Sequence, residues 1–285
     1  MEDISFKEQN ITRIIDNAIA EDIGDGDHST LACVPKEAIG KAKLLVKEVG
    51  VIAGVEIAQK VFNKIDPNLK LDFYINDGKK VKPGDIVFDV KGSSHSILQA
   101  ERLVLNIMQR MSGIATNTNR YVEKLTGLKT KVLDTRKTTP GMRVLEKMAV
   151  KIGGGENHRM GLYDMIMIKD NHIDFAGGIE KAIEKIQNYL EKYGKKIPVE
   201  IEVRNMEELS QVIKTGWVDR IMLDNFTVKK TSEAVQIING KYETESSGGI
   251  NLETIRGYAE CGVDFVSVGE LTHQIKSIDL SLKAF

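Results

Sequence analysis

Short apolar runs separated by polar turns fill the first third of the chain; after residue 131 they alternate with helical stretches. From Asn10 to Ala20 the residues Ile11, Ile14, Ile15, Ala18 and Ile19 recur at helical spacing, and "EDIGDGDHST" then ends the helix in a loop rich in Gly and Asp. "KAKLLVKEVGVIAGV", "LKLDFYIND" and "DIVFDVKGS" follow, set apart by Asn76-Asp77-Gly78 and Lys82-Pro83-Gly84. They predict a small, mostly antiparallel sheet with one interrupting helix from Glu56 to Ile65. A long helix is expected to start near Ser96 and to carry "ILQAERLVLNIMQRMS", apolar on most of its circumference and therefore buried between layers. Gly113 is expected to break it before a second helix through Tyr121 and Leu125.

From Lys131 onward "KVLDT", "MIMIKD", "VEIEV", "RIMLDN", "ETESSGG" and "DFVSVGE" alternate with stretches such as "GIEKAIEKIQNYLEKYG" and "NLETIRGYAECG". Strand and helix recurring every ~20 to 35 residues predict parallel βα units, and hence a barrel. Six strands are legible. A seventh or eighth is expected near "IGGGENHR", and an open sheet is the alternative to closure. Each strand ends in a residue with chemistry: Arg136 and Lys137, Lys169, Glu202, Asp224, Ser247 with Gly248 and Gly249, and Gly269. In βα barrels these carboxyl ends and the loops after them form one active-site mouth.

Composition narrows the partners. The chain has 285 residues, 41% hydrophobic and 28% charged, enough for one large domain or two smaller ones. A net charge of -1 argues against a global grip on nucleic acid or an acidic membrane, so an anion must be held by a local cluster. Cys33 and Cys261 form neither a disulfide framework nor a CxxC zinc motif. "MEDISFKEQN" lacks the basic start and apolar core of a secretory signal, and no apolar run reaches membrane-spanning length. A soluble cytoplasmic protein is expected.

The mouth supplies that cluster. Arg136, Lys137, His158, Arg159 and Lys169 would gather positive charge in one concavity, with arginine gripping carboxylate or phosphate through paired hydrogen bonds and lysine acting as a compact charge. For any single Lys or Arg, solvated surface charge is the more common outcome; the set together at strand ends favours a polyanionic substrate. Glu202 and Asp224 end neighbouring strands and could hold Mg2+ or hydrogen-bond ribose hydroxyls, or form salt bridges with nearby cations; spacing alone does not choose. "SSGGI" and "SVGE" offer bare backbone N–H groups in the last two loops, where a sugar phosphate commonly sits. His273 is a minor candidate for a phosphate contact. His28 and His172 lack metal-ligand spacing, His95 reads as a loop or cap residue, and the methionines of "DMIMI" and "NIMQRM" read as core.

"DTRKTTPGMR", "GGGENHRMGLYDMIMIKDNH", "VEIEV", "MLDNF" and "SSGGI", in this order and preceded by "AERLVLNIMQRMSGIAT", closely resemble the nicotinate-nucleotide pyrophosphorylase family, also called quinolinate phosphoribosyltransferases. The resemblance covers nearly the whole chain and its motifs are long and specific. It implies an α/β protein with an N-terminal open-faced α/β sandwich over 1–113, to which a tail at 274–285 returns, and a C-terminal incomplete α/β barrel of the seven-stranded type over 114–273. It also implies a homodimer with active sites shared between subunits, assembly beyond the dimer being left open. The implied reaction, in NAD biosynthesis, converts quinolinate and phosphoribosyl pyrophosphate, with Mg2+, to nicotinate mononucleotide, pyrophosphate and carbon dioxide. By motif, Arg136, His158 and Arg159 should hold the quinolinate carboxylates, Lys137 and Lys169 should bridge quinolinate and the pyrophosphate-bearing sugar, and Arg102 should reach the neighbouring subunit's site. Glu202 and Asp224 match the acidic residues near ribose and metal, contacting the metal directly or through water, and with Lys137 and Lys169 make up the catalytic set. Ser247, Gly248, Gly249 and Gly269 match the 5-phosphate cradle. His28 and Ser29 stand where the family leads one to expect a small apolar residue and threonine.

Two rivals are kept. A phosphoribosyltransferase using nicotinate would need fewer cations for its single carboxylate, and Arg102, Arg136 and Arg159 count against it. A barrel lyase would use Lys169 as a Schiff base, which requires that lysine to be desolvated with its pKa lowered. A non-catalytic binding barrel fits least, because the carboxylates and the phosphate cradle are both in place.

Overall fold

The computed structural model describes residues 4–285, with side chains from residue 7 onward; residues 1–3, part of the stretch read as lacking a signal, lie outside the described residues. The chain divides into two compact units: residues 1–119, 138–154 and 271–285 in the first, and residues 120–137 and 155–270 in the second.

The first unit contains α1 (Ile4–Ile23), α2 (His28–Cys33), β1 (Ile39–Val46), β2 (Gly50–Val51), α3 (Val55–Ile65), β3 (Lys70–Phe73), β4 (Lys80–Val81), β5 (Ile86–Ser93) and most of α4 (Ser94–Lys124). Alternation along β1 explains the layer: Ala42, Leu44 and Val46 are buried while Lys41, Lys43 and Leu45 are half-buried. α3 buries Val55, Ile57, Ala58, Val61 and Phe62, one helical face, and Phe62 meets Phe88 of β5 edge to face at 5.8 Å. Asp77, in the turn the sequence marks, accepts the Val55 N–H at 2.9 Å and so caps α3 from a distance.

The expected break at Gly113 does not occur: α4 runs unbroken for 31 residues. A Cβ on Gly113 would lie 2.4 Å from the Lys276 carbonyl oxygen, so this glycine admits a close crossing of the C-terminal segment.

The second unit is built on β6 (Lys131–Leu133), β7 (Ile166–Ile168), β8 (Val199–Val203), β9 (Arg220–Asp224), β10 (Glu243–Ser247) and β11 (Phe265–Ser267). Interleaved are α6 (Asp170–Ala176), α7 (Ile179–Tyr193), α8 (Met206–Thr215), α9 (Val228–Ile238) and α10 (Ile255–Glu260), whereas α5 (Arg143–Ile152) belongs to the first unit. The six strands form one parallel sheet in the order β6-β11-β10-β9-β8-β7. Beside β6 the sought extra strand shrinks to a single parallel bridge, Leu133 to Glu156. The fold is therefore an α/β incomplete barrel. In the first unit, α11 (Glu270–His273), which begins in the second, leads to β12 (Leu280–Ala284), and the antiparallel sheet has the order β12-β1-β5-β3. Among the described residues no helix is long and apolar enough to cross a membrane.

Candidate active site

The bridge at Glu156 organises one side of the mouth. The Glu156 N–H donates to the Val132 carbonyl at 2.8 Å, Asp134 N–H to the Glu156 carbonyl at 3.1 Å, and His158 N–H to buried Asp134 Oδ1 at 2.8 Å. This short ladder sets the His158-Arg159 pair beside the chain that leads from β6 to Arg136 and Lys137. A tight turn follows, in which Asp164 accepts the Met160 and Gly161 N–H groups at 2.6 and 2.8 Å. A side chain at Gly161 would meet the Tyr163 ring at 2.4 Å.

Arg159 is half-buried and donates from Nη1 to the Met165 carbonyl at 3.1 Å. Burial and then the neighbouring charge of Arg136 lower its pKa. Two guanidiniums that repel each other in a partly desolvated place are poised for a ligand with carboxylates or phosphates.

Across the mouth the Lys169 ammonium pairs with Glu202 Oε2 at 2.7 Å, so the salt bridge weighed from sequence is what forms. Lys169 is ion-paired and 45% exposed, the opposite of the desolvated lysine a Schiff-base lyase needs. Asp224 ends β9; burial and the charge of Glu202 raise its carboxyl pKa. Beside it, Ser247 of β10 is in register with Asp224, and the Asn225 N–H donates to the Ser247 carbonyl at 2.9 Å. Gly248 and Gly249 follow with φ of 99° and 61°, and a Cβ on Gly248 would strike Asn225 Oδ1 at 2.2 Å. Only glycine fits Gly248, and the result is a side-chain-free loop able to approach an anion with its backbone. Gly269, half-buried, follows β11.

Arg136, Lys137, His158, Arg159, Lys169, Glu202, Asp224, Ser247, Gly248, Gly249 and Gly269 thus all lie in the second unit, at or just past its strand ends. Arg102 lies in the first unit, exposed on α4. Among the minor histidines, His172 accepts the Lys169 N–H through Nδ1 at 2.9 Å as part of the α6 cap, and His95 reaches the Val34 carbonyl at 2.9 Å.

A buried charge network lies two residues before Glu202 and Ser247, and the sequence reading missed it. His158 places Nε2 2.8 Å from Glu200 Oε2 and 3.4 Å from Glu245 Oε2, and Arg220 Nη1 lies 3.2 Å from the latter oxygen. Glu200 and Glu245 are fully buried. Period-two alternation was the available signal: Glu200 shares a face with Glu202, and Glu245 with Ser247. Burial pulls the His158 pKa down, but hydrogen bonds to the two carboxylates oppose it and push it upward. Opposing a second proton on the ring, the Arg159 N–H donates to His158 Nδ1 at 2.7 Å, which requires that nitrogen to be bare. With Nδ1 committed as an acceptor, the ring carries its proton on Nε2, and the Glu200 carboxyl beside it is raised to about 7 by burial and by the charge of Glu245. Glu200 Oε1 has no hydrogen-bond partner among the described residues, which suits a carboxyl kept partly neutral.

A stability prediction follows from the sign of the Glu200 shift. With its folded pKa near 7 against an ordinary 4.5, the folded state binds more protons between those values, so this contribution is complete below pH 4.5 and is lost as pH rises through 7. Glu200→Gln should flatten the fall in Tm between pH 5 and pH 8 relative to wild type by several degrees, on the order of 5 °C. Parallel Tm slopes in scanning calorimetry would contradict the assignment.

The chain matches the family models for the quinolinate phosphoribosyl transferase N-terminal domain over residues 27–112 and the C-terminal domain over residues 114–283. It is 46% identical over 95% of its length to quinolinate phosphoribosyltransferase [decarboxylating] 1b of Nicotiana tabacum, covering 81% of that protein. To the probable nicotinate-nucleotide pyrophosphorylase [carboxylating] of Bacillus subtilis it is 38% identical, with 95% of this chain and 92% of the other covered. The crystal structure of NadC from Streptococcus pyogenes superposes with a TM-score of 0.91 at 40% identity, over 96% of this chain and 95% of that one. With both family models together spanning residues 27–112 and 114–283, and with relatives this similar over most of its length, the chain belongs to the quinolinate phosphoribosyltransferase family.

Proposed function

We propose that this protein transfers the phosphoribosyl group of phosphoribosyl pyrophosphate to quinolinate with decarboxylation, yielding nicotinate mononucleotide, pyrophosphate and carbon dioxide for NAD biosynthesis. The observation that carries this reading is the pairing of Arg136 with half-buried Arg159, whose mutual repulsion a dicarboxylate would relieve. In this reading Arg136 and Arg159 hold the quinolinate carboxylates, and His158 acts beside them. Lys137 and Lys169 bridge the quinolinate and the pyrophosphate end of the sugar. Ser247, Gly248, Gly249 and Gly269 cradle the 5-phosphate.

The raised pKa of Asp224 beside Glu202 fits a hard divalent cation, since two crowded carboxylate groups are relieved by one. Glu202 and Asp224 would hold Mg2+, directly or through water, and the ion when bound supplies charge neutralisation for the leaving pyrophosphate. The chain's own contribution is orientation and electrostatics. The pyridine nitrogen forms a bond to the anomeric carbon as the carbon–oxygen bond to pyrophosphate breaks, the electron pair leaving with that oxygen. Lysine ammonium groups stabilise the departing anion, and the carboxylates of Glu202 and Asp224 stabilise the positive character growing on the ribose. The carboxylate next to the quaternised nitrogen then leaves as carbon dioxide, its bonding pair stays on the ring carbon, and that carbon takes a proton. No covalent nucleophile is needed.

We further infer a homodimer in which Arg102 serves the partner's site. Free Cys33 and Cys261 suit a reducing compartment, which we take to be the cytoplasm. The reading is tested by incubating purified protein with Mg2+, phosphoribosyl pyrophosphate and either quinolinate or nicotinate, with products analysed by mass spectrometry. Nicotinate mononucleotide and carbon dioxide from quinolinate alone are expected; product from nicotinate alone would move the protein to the nicotinate-using reaction.

A further inference from the structure

Buried carboxylates on parallel strands need a reason, because such strands usually carry apolar residues on both faces. Here Glu200 and Glu245 converge on one imidazole whose other nitrogen is already committed. His158 donates from Nε2 to Glu200 at 2.8 Å, with Glu245 at 3.4 Å, while Nδ1 accepts the Arg159 backbone N–H at 2.7 Å. Its own N–H is fixed by Asp134 at 2.8 Å. The residue so restrained is the one before Arg159, whose guanidinium donates to the Met165 carbonyl at 3.1 Å and to the Met167 sulfur at 3.7 Å.

We propose that Glu200 and Glu245 are positioning residues for the pyridine dicarboxylate: through the His158 imidazole they hold the Arg159 backbone and so set where its guanidinium is presented. The inference rests on the proposed function and deepens it by giving a role to two glutamates beneath the mouth. It also shifts the weight of His158, whose ring nitrogens both meet protein groups, from touching substrate to orienting the arginine that does. The three side chains have the spacing of a metal site. Their hydrogen bonds point elsewhere, because a bare Nδ1 puts the proton on Nε2, the nitrogen a cation would require. Arg220 also already engages Glu245.

The test compares wild type, Glu200→Ala, Glu200→Gln and Glu245→Gln in steady-state kinetics with Mg2+ and phosphoribosyl pyrophosphate, alongside ¹⁵N spectra of histidine-labelled protein. Glu200→Ala should raise the quinolinate KM by about tenfold or more, as expected for loss of a charge-assisted hydrogen bond, with kcat and the KM of the other substrate within about threefold. Glu200→Gln, whose amide oxygen can still accept from Nε2–H, should recover most of that loss. Glu245→Gln, acting at the longer contact, should have the smaller effect. The His158 signal should report the Nε2–H tautomer in wild type and Glu200→Gln. A wild-type quinolinate KM in Glu200→Ala, losses spread equally over both substrates and kcat without rescue by glutamine, or an Nδ1–H or doubly protonated ring in wild type would each overturn the proposal. Wild-type protein that fails to turn over quinolinate would overturn the function instead. The nitrogen spectra read the network whatever the turnover, and Glu200→Gln keeps the test open if the alanine variant does not fold.

Discussion

Arg159→Ala is expected to lower kcat/KM for quinolinate by about 10²- to 10³-fold, the scale of losing paired charge-assisted hydrogen bonds to a buried carboxylate. The same variant should melt no lower than wild type. Both expectations come from one feature: the folded protein holds a half-buried guanidinium whose pKa is lowered by burial and by Arg136, so the unliganded fold bears the cost of that charge. Removing it relieves the fold and deprives the ligand, which is the usual opposition between stability and activity at a binding site. Arg159→Lys should recover little, because an ammonium cannot make two parallel bonds to a carboxylate. Initial rates with quinolinate varied at saturating phosphoribosyl pyrophosphate, together with scanning calorimetry, decide the matter. An unchanged kcat/KM would remove Arg159 from the site, and a collapse in Tm with the activity would mean that the loss is structural.

Much of this arrangement is legible in the sequence. Alternating strand and helix after Lys131 announces parallel βα units, and the polar residues picked out in the sequence do lie at or just past the ends of those strands, which a barrel directs to one face. What failed did so for identifiable reasons. Gly113 looked like a helix break because glycine lowers helix propensity, yet its value lies in the crossing chain at Lys276, a contact between positions far apart in sequence. The extra strand near "IGGGENHR" is one bridge long, too short to leave a pattern, though it fixes His158 and Arg159 through Asp134. Glu200 and Glu245 were within reach. "VEIEV" and "ETESS" alternate with period two, and asking which face held Glu202 and Ser247 would have found their inward neighbours. The gathering of Arg136 and Arg159 in one concavity is expected from their places near strand ends, and the charge of Arg136 does lower the pKa of Arg159.

Subunit sharing gives the second large effect. Arg102→Ala and Lys169→Ala should each be nearly inactive alone, with losses on the order of 10²-fold or more for a missing charged contact. Arg102 is exposed on α4 in the first unit, whereas Lys169, paired with Glu202, lies with the other mouth residues in the second. If Arg102 completes the partner's mouth, an equal mixture of the two variants after subunit exchange contains heterodimers, each with one intact site and one doubly defective site. Random association makes half of the dimers mixed, so about a quarter of all sites, and about a quarter of wild-type activity, should return. If instead each chain supplies its own Arg102, every site in the mixture lacks one of the two residues and nothing returns. Differently tagged variants, with heterodimers counted by native mass spectrometry, separate absent exchange from absent rescue. Zero activity in a population proven to be half heterodimer would place Arg102 in its own subunit's site.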